Sequence, residues 1–145
     1  MKYTEVSGGY VLKLEIGDEI IDSIVSFCKE KGIKSGVLSG IGAAEDLAIL
    51  FFDREKKEYI PREFMGQSYE IVSMNGNISL LDGEPMAHAH IALGDADYNV
   101  FGGHLKSGIV SVTCEIALTM TDGHIERAYD EETRLNLLDL SNRNG

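Results

Sequence analysis

Three histidines carry the chemistry that this sequence offers. His88 and His90 stand two apart in Met86-Ala87-His88-Ala89-His90-Ile91, and His104 follows in Phe101-Gly102-Gly103-His104-Leu105. Residues i and i+2 of a β-strand point to the same face, so one strand would present the first two imidazoles together. The third lies one hairpin further on and joins them if the two strands pair. Neutral imidazole ligates Zn, Cu, Fe or Ni. Three nitrogens without a thiolate suit an open site, in which a fourth position is left for water or substrate. Zinc is the first expectation, because such a site needs no further protein ligand; nickel and iron stay open. The plainer alternative is a set of hydrogen-bonding surface or interface histidines, since alternation arises without ligation. His124, after Asp122-Gly123, reads as a solvated turn residue.

Period-two bookkeeping predicts which way these side chains face. In Met86 to Leu93, Ala87, Ala89, Ile91 and Leu93 form an apolar set, and Met86, His88, His90 and Ala92 lie opposite. In Tyr98 to Leu105, Phe101, Gly103 and Leu105 oppose Val100, Gly102 and His104. The small Ala92 and Gly102 would leave room around the imidazoles. In Ile109 to Met120, Val110, Val112, Cys114, Ile116, Leu118 and Met120 form the apolar face, which puts Glu115 on the other side. Glu115 on the histidine side could fix a ligand tautomer by accepting a ring N–H, or act as a general base toward water on the metal.

The elements that must position these residues form an α+β pattern. Glu19 to Lys31 places Ile20, Ile21, Ile24, Val25, Phe27 and Cys28 at helical spacing, with Asp18 as the expected N-cap and Gly32 as the stop. About seven strands, mostly antiparallel, make up the rest. Two short extended segments flank Gly8-Gly9. Ser39-Gly40-Ile41-Gly42 reads as a tight turn between Gly36–Ser39 and the apolar Leu47–Phe52. Asp53 to Lys57 is a charged turn; Ser68 to Leu81 is a long extended stretch with Gly76 as a bulge; Met86–Leu93 and Tyr98–Leu105 form a hairpin around Gly94 to Asp97. Gly102-Gly103 is either a bulge that aims His104 or a place where another backbone approaches. The tail around Arg134 to Leu138 makes a short helix or a docking strand.

With 145 residues the chain fits one domain, 1–145, with no linker. Its formal net charge is −11, from 13 basic and 24 acidic residues. That makes a nucleic-acid backbone or an anionic membrane a poor partner. No signal peptide or membrane-length apolar run is visible, which points to the cytoplasm. Cys28 and Cys114 read as small buried hydrophobes, with a mutual disulfide as the lesser alternative.

Taken in order, Ser39-Gly40-Ile41-Gly42-Ala43, His88-Ala89-His90, Gly102-Gly103-His104-Leu105 and Glu115-Ile116-Ala117-Leu118 resemble the PPC (plants and prokaryotes conserved) domain. The resemblance implies an antiparallel α+β fold and a homotrimer. It maps the family's histidine cluster onto His88, His90 and His104 and its acidic position onto Glu115. Plant members are fused to AT-hooks with an Arg-Gly-Arg-Pro core. This chain has no such core and only Pro61 and Pro85, so direct DNA binding does not carry over.

The remaining polar residues have ordinary readings. The glycine loop at residues 39–42 lacks the lysine of a P-loop. Glu70 is a solvated sheet residue, Asp95 and Asp97 build a turn, and Ser111 and Thr113 cap a polar surface. Three functions remain: a zinc-binding trimer with a recognition or assembly role, a metal-dependent hydrolase or lyase using Glu115 on a small molecule, and a regulatory module acting beside DNA through a protein partner.

Overall fold

The computed structural model describes residues 1–141. Its elements run β1 (Lys2–Val6), β2 (Gly9–Glu15), α1 (Ile20–Lys31), β3 (Gly36–Asp53), β4 (Glu58–Phe64), β5 (Tyr69–Leu81), β6 (Glu84–Gly94), β7 (Val100–Met120), β8 (Glu126–Asp130) and β9 (Leu135–Asp139). The expected α+β class is correct. Strands follow the order β1-β2-β7-β3-β5-β8-β9, with β4 added to β3 and β6 pairing with both β5 and β7. Because β3 also pairs with both β5 and β7, these four strands close a ring. Pairing is antiparallel throughout the described residues, save one parallel contact between Leu80 and Glu126.

Nine strands are found among the described residues, against about seven expected: the tail adds β8 and β9, while two long strands each join segments expected to be separate. Residues 39–42 are not a turn between strands: β3 is continuous over 18 residues and bends at a bulge between Gly40 and Gly42. Glycine is required there because a Cβ on Gly42 would stand 2.1 Å from the Thr113 carbonyl oxygen. Likewise β7 runs unbroken for 21 residues through Gly108. Between Val110 and Cys114, β7 uses four residues where β3 uses two, from Ala44 to Gly42. The surplus turns Val112 outward, and it is 64% exposed rather than part of the core face. Gly76 is no bulge either; it pairs regularly with Ala89, and the irregularity in β5 falls between Ile71 and Ser73. The tail forms strands β8 and β9, not a helix.

Helix α1 is capped by Glu19, not Asp18. The Glu19 carboxylate accepts the Asp22 N–H at 2.6 Å and the Gly108 N–H at 2.9 Å, tying the helix start to β7. Asp18 instead accepts the Glu15 N–H at 2.9 Å and pairs with the N-terminal amine. Gly32 is the left-handed C-cap. The helix buries Ile20, Ile24, Phe27 and Cys28 in a core shared with Leu12, Leu14, Ile78, Ile91 and Leu105. Ala87, Ala89, Ile91 and Leu93 of β6 all face this core. Their burial drives His88 and His90 to the opposite face, since a one-residue slip would expose four apolar side chains. Cys28 and Cys114 are buried and free.

Gly102 lies opposite Ala92 in the unbroken β6–β7 register. A Cβ there would lie 2.1 Å from the Ile91 carbonyl oxygen. Close approach, not a bulge, is therefore the reason for this glycine. Gly102→Ala should cost about 2 kcal/mol of stability through overpacking. Urea denaturation checks this, and a loss under about 0.5 kcal/mol, the range of an ordinary surface substitution, would contradict it.

Candidate metal centre

The β6–β7 ladder places His90 directly opposite His104, and the strand period adds His88 on the same face. The three rings meet. Their centroids are 5.3 Å apart for His88–His90, 5.0 Å for His88–His104 and 5.5 Å for His90–His104. One nitrogen from each lies within 4.8 Å of the others. Tetrahedral zinc with ~2.1 Å bonds needs ligand atoms ~3.4 Å apart. Modest side-chain rotations span that difference. Tyr59 of β4 lies against the His104 ring at 5.4 Å.

Two features fit this cluster to a cation. The buried Nδ1 of His104 has no hydrogen-bond partner in the protein. Such an orphan is costly unless something else engages it. The second feature is protonation. Burial, followed by the Arg127 charge and the two other histidines, pulls His88 down to about 4. Burial, then His90 and Arg127, also lowers His104. Both rings are thus neutral near pH 7, the state that offers a lone pair to a metal.

Arg127 of β8, which nothing in the sequence marks, is built into the wall of the site. It is 9% exposed. Its Nε donates to Ser79 Oγ at 2.7 Å, Nη1 to the Asn136 carbonyl at 2.9 Å and Nη2 to Asn77 Oδ1 at 3.0 Å. Nη2 also stands 3.3 Å from His88 Nδ1. A guanidinium only donates, so this contact uses the Nδ1 lone pair and leaves the ring proton on Nε2. Arg127 therefore holds His88 in the tautomer whose lone pair is on Nδ1, and a metal bound through that nitrogen would displace this contact.

Glu115 is not with the histidines. It lies eleven residues beyond His104 on β7, pairs with Lys13 and Ile41, and lines an open groove with Ile41, Val72 and Val112. The bulges in β7 return it to the outer surface, paired with Ile41 of β3, whereas His104 pairs with Leu50 of that strand. Glu70 lines the same groove. Asp95 accepts the N–H groups of Asp97 and Asn99, each at 2.9 Å, and builds the β6–β7 turn. Ser111 bonds Ser68 at 2.6 Å. Burial raises the Cys28 and Cys114 thiols to about 12 and about 11, so neither offers a thiolate.

With this geometry in place, comparison with known proteins is informative. Residues 1–122 match the Plants and Prokaryotes Conserved (PCC) domain. The chain belongs to this family, the PPC domain. A PPC protein from Pyrococcus horikoshii is 38% identical, with a TM-score of 0.84 over 95% of this chain and 93% of its own. A metal-containing protein from Archaeoglobus fulgidus is 40% identical, also at 0.84, over 95% and 99%. A "putative DNA binding protein" from Bacteroides thetaiotaomicron is 34% identical, with a TM-score of 0.91 over 95% and 96%. The bifunctional protein GlmU of a Synechococcus strain is 28% identical over 111 residues; the match spans 75% of this chain and 16% of that relative's length.

The lowered histidines contribute to the acid sensitivity of the metal-free PCC domain. An unfolded histidine takes a proton below about pH 6.5, whereas folded His88 resists until about 4. The unfolded chain binds more protons in that window, so stability falls as the pH drops from about 6.5 toward 4. His88→Gln should flatten this slope in urea midpoints measured across the window. Identical slopes in the two proteins would contradict the burial argument.

Proposed function

We propose that this PCC-domain protein binds one divalent transition metal, zinc first, through His88, His90 and His104, and that it acts as a homotrimer with a recognition or assembly role. The observation that carries the reading is the convergence of three imidazoles, one of them with an orphaned buried nitrogen. The metal-containing relative from Archaeoglobus fulgidus, at 40% identity, supports it. When bound, such a metal supplies Lewis acidity at an open position. The chain's own residues supply the remainder: β6 and β7 hold the rings, Tyr59 covers His104, and Arg127 gives up its contact with His88 Nδ1 to the metal.

Self-association finds support on the outer face. Ile41, Val72 and Val112 are 59%, 51% and 64% exposed and line one groove. Contiguous apolar surface of this kind marks interaction sites. The hydrolase or lyase alternative loses support within one protomer, because Glu115 lies in that groove and not beside the histidines. No described helix is long and apolar enough to cross a membrane.

Direct nucleic-acid binding is less supported than metal binding. The Bacteroides relative's description points toward DNA, yet this chain carries a net charge of −11. A phosphate backbone selects clustered Lys and Arg. Gel shifts at low salt should show no complex with the isolated protein, and a tight complex would overturn this part of the proposal. Elemental analysis combined with solution mass tests the remainder. One metal per chain in a particle of three chains is expected, and Val112→Glu should dissociate that particle. A metal-free protein, or a monomer at all concentrations, would contradict it.

A further inference from the structure

Beside the histidines lies a cavity of about 360 Å³, bounded by His88, His104, Tyr59, Arg127, Arg134 and the β9 segment around Asn136. None of its lining residues is acidic, although the chain has 24 carboxylates and a net charge of −11. Arg127 is more than nine-tenths buried and is held only by neutral acceptors. Among the described residues no carboxylate pairs with it or with Arg134. Buried charges are ordinarily paired, so an uncompensated guanidinium facing a cavity is a demand for an anion. Its four contacts also leave one of its five N–H groups without an acceptor. Arg134, at the β8–β9 turn, adds a second guanidinium from the exposed rim.

Metal binding would sharpen this demand. Three neutral imidazoles bring no negative charge, so a divalent cation beside Arg127 leaves the site strongly positive. A ligand with an anionic group would relieve that excess, and planar guanidinium forks match the oxygens of carboxylate and phosphate. Both arginines lie in the β8–β9 hairpin, beyond the segment 1–122 that matches the family.

We infer that this cavity receives the oxyanion end of a small molecule, a carboxylate or a phosphate, held by Arg127 and Arg134 beside the three histidines. The inference rests on the metal reading for its second half alone; the arginine half stands without metal. Calorimetric titration of inorganic phosphate, and in parallel acetate, into the protein tests it, both zinc-loaded and desalted and metal-free. Wild type should bind at least one of the two, and the better probe names the headgroup class. Arg134→Gln should weaken that binding about tenfold with zinc content unchanged. Arg127→Lys, which keeps the charge but loses the contacts that fix the guanidinium and its one free N–H, should weaken it as well, with circular dichroism confirming the fold. Equal affinities in wild type and both variants, or no binding of either anion, would overturn the inference. Should the protein take up no zinc while anion binding still depends on both arginines, the metal reading fails and the anion site stands.

Discussion

Register between β6 and β7 is the constraint on which the site depends. Pairing of His90 with His104 brings two imidazoles together edge to face, and the period of the strand adds His88. That register is held from below. Ala87, Ala89, Ile91 and Leu93 fill the core against α1, so any slip by one residue would trade buried apolar groups for imidazoles. It is held within the ladder by Gly102, which lets the Ile91 carbonyl approach to a distance no side chain tolerates. Hydrophobic packing that has no contact with the site thus decides where its ligands point.

Electrostatics then decides what the convergent rings can do. Partial burial and the nearby Arg127 charge keep His88 and His104 unprotonated near neutral pH. Protonated rings would repel one another and any cation. Arg127 has a double effect: it favours neutral imidazole and fixes one tautomer, yet it also adds positive charge beside a cation site. An anionic ligand resolves that conflict, which is why the cavity and the histidines read as parts of one arrangement.

Much of this was legible in the sequence where short-range rules apply. Alternation placed His88, His90 and His104 on one face, and helical spacing located α1 to within one residue, missing only that Glu19 caps it through a long-range bond to Gly108. Departures from regular alternation were not legible. A bulge adds a residue without changing composition, so regular alternation predicts Val112 in the core and a turn at residues 39–42, and the structure has neither. The same bulges placed Glu115 in the groove with Ile41, far along β7 from His104. Arg127 was invisible for a different reason. Its importance comes from Ser79, Asn77 and His88, which lie 48, 50 and 39 residues away. Only tertiary structure brings such partners together.

X-ray absorption at the metal edge of the purified, desalted protein tests the central claim most directly. Three imidazole nitrogens at ~2.0–2.1 Å with a further light-atom ligand are the result predicted for zinc held by His88, His90 and His104. A sulfur shell, an all-oxygen shell, or a spectrum unchanged by His104→Ala would show that these rings do not share a metal ion.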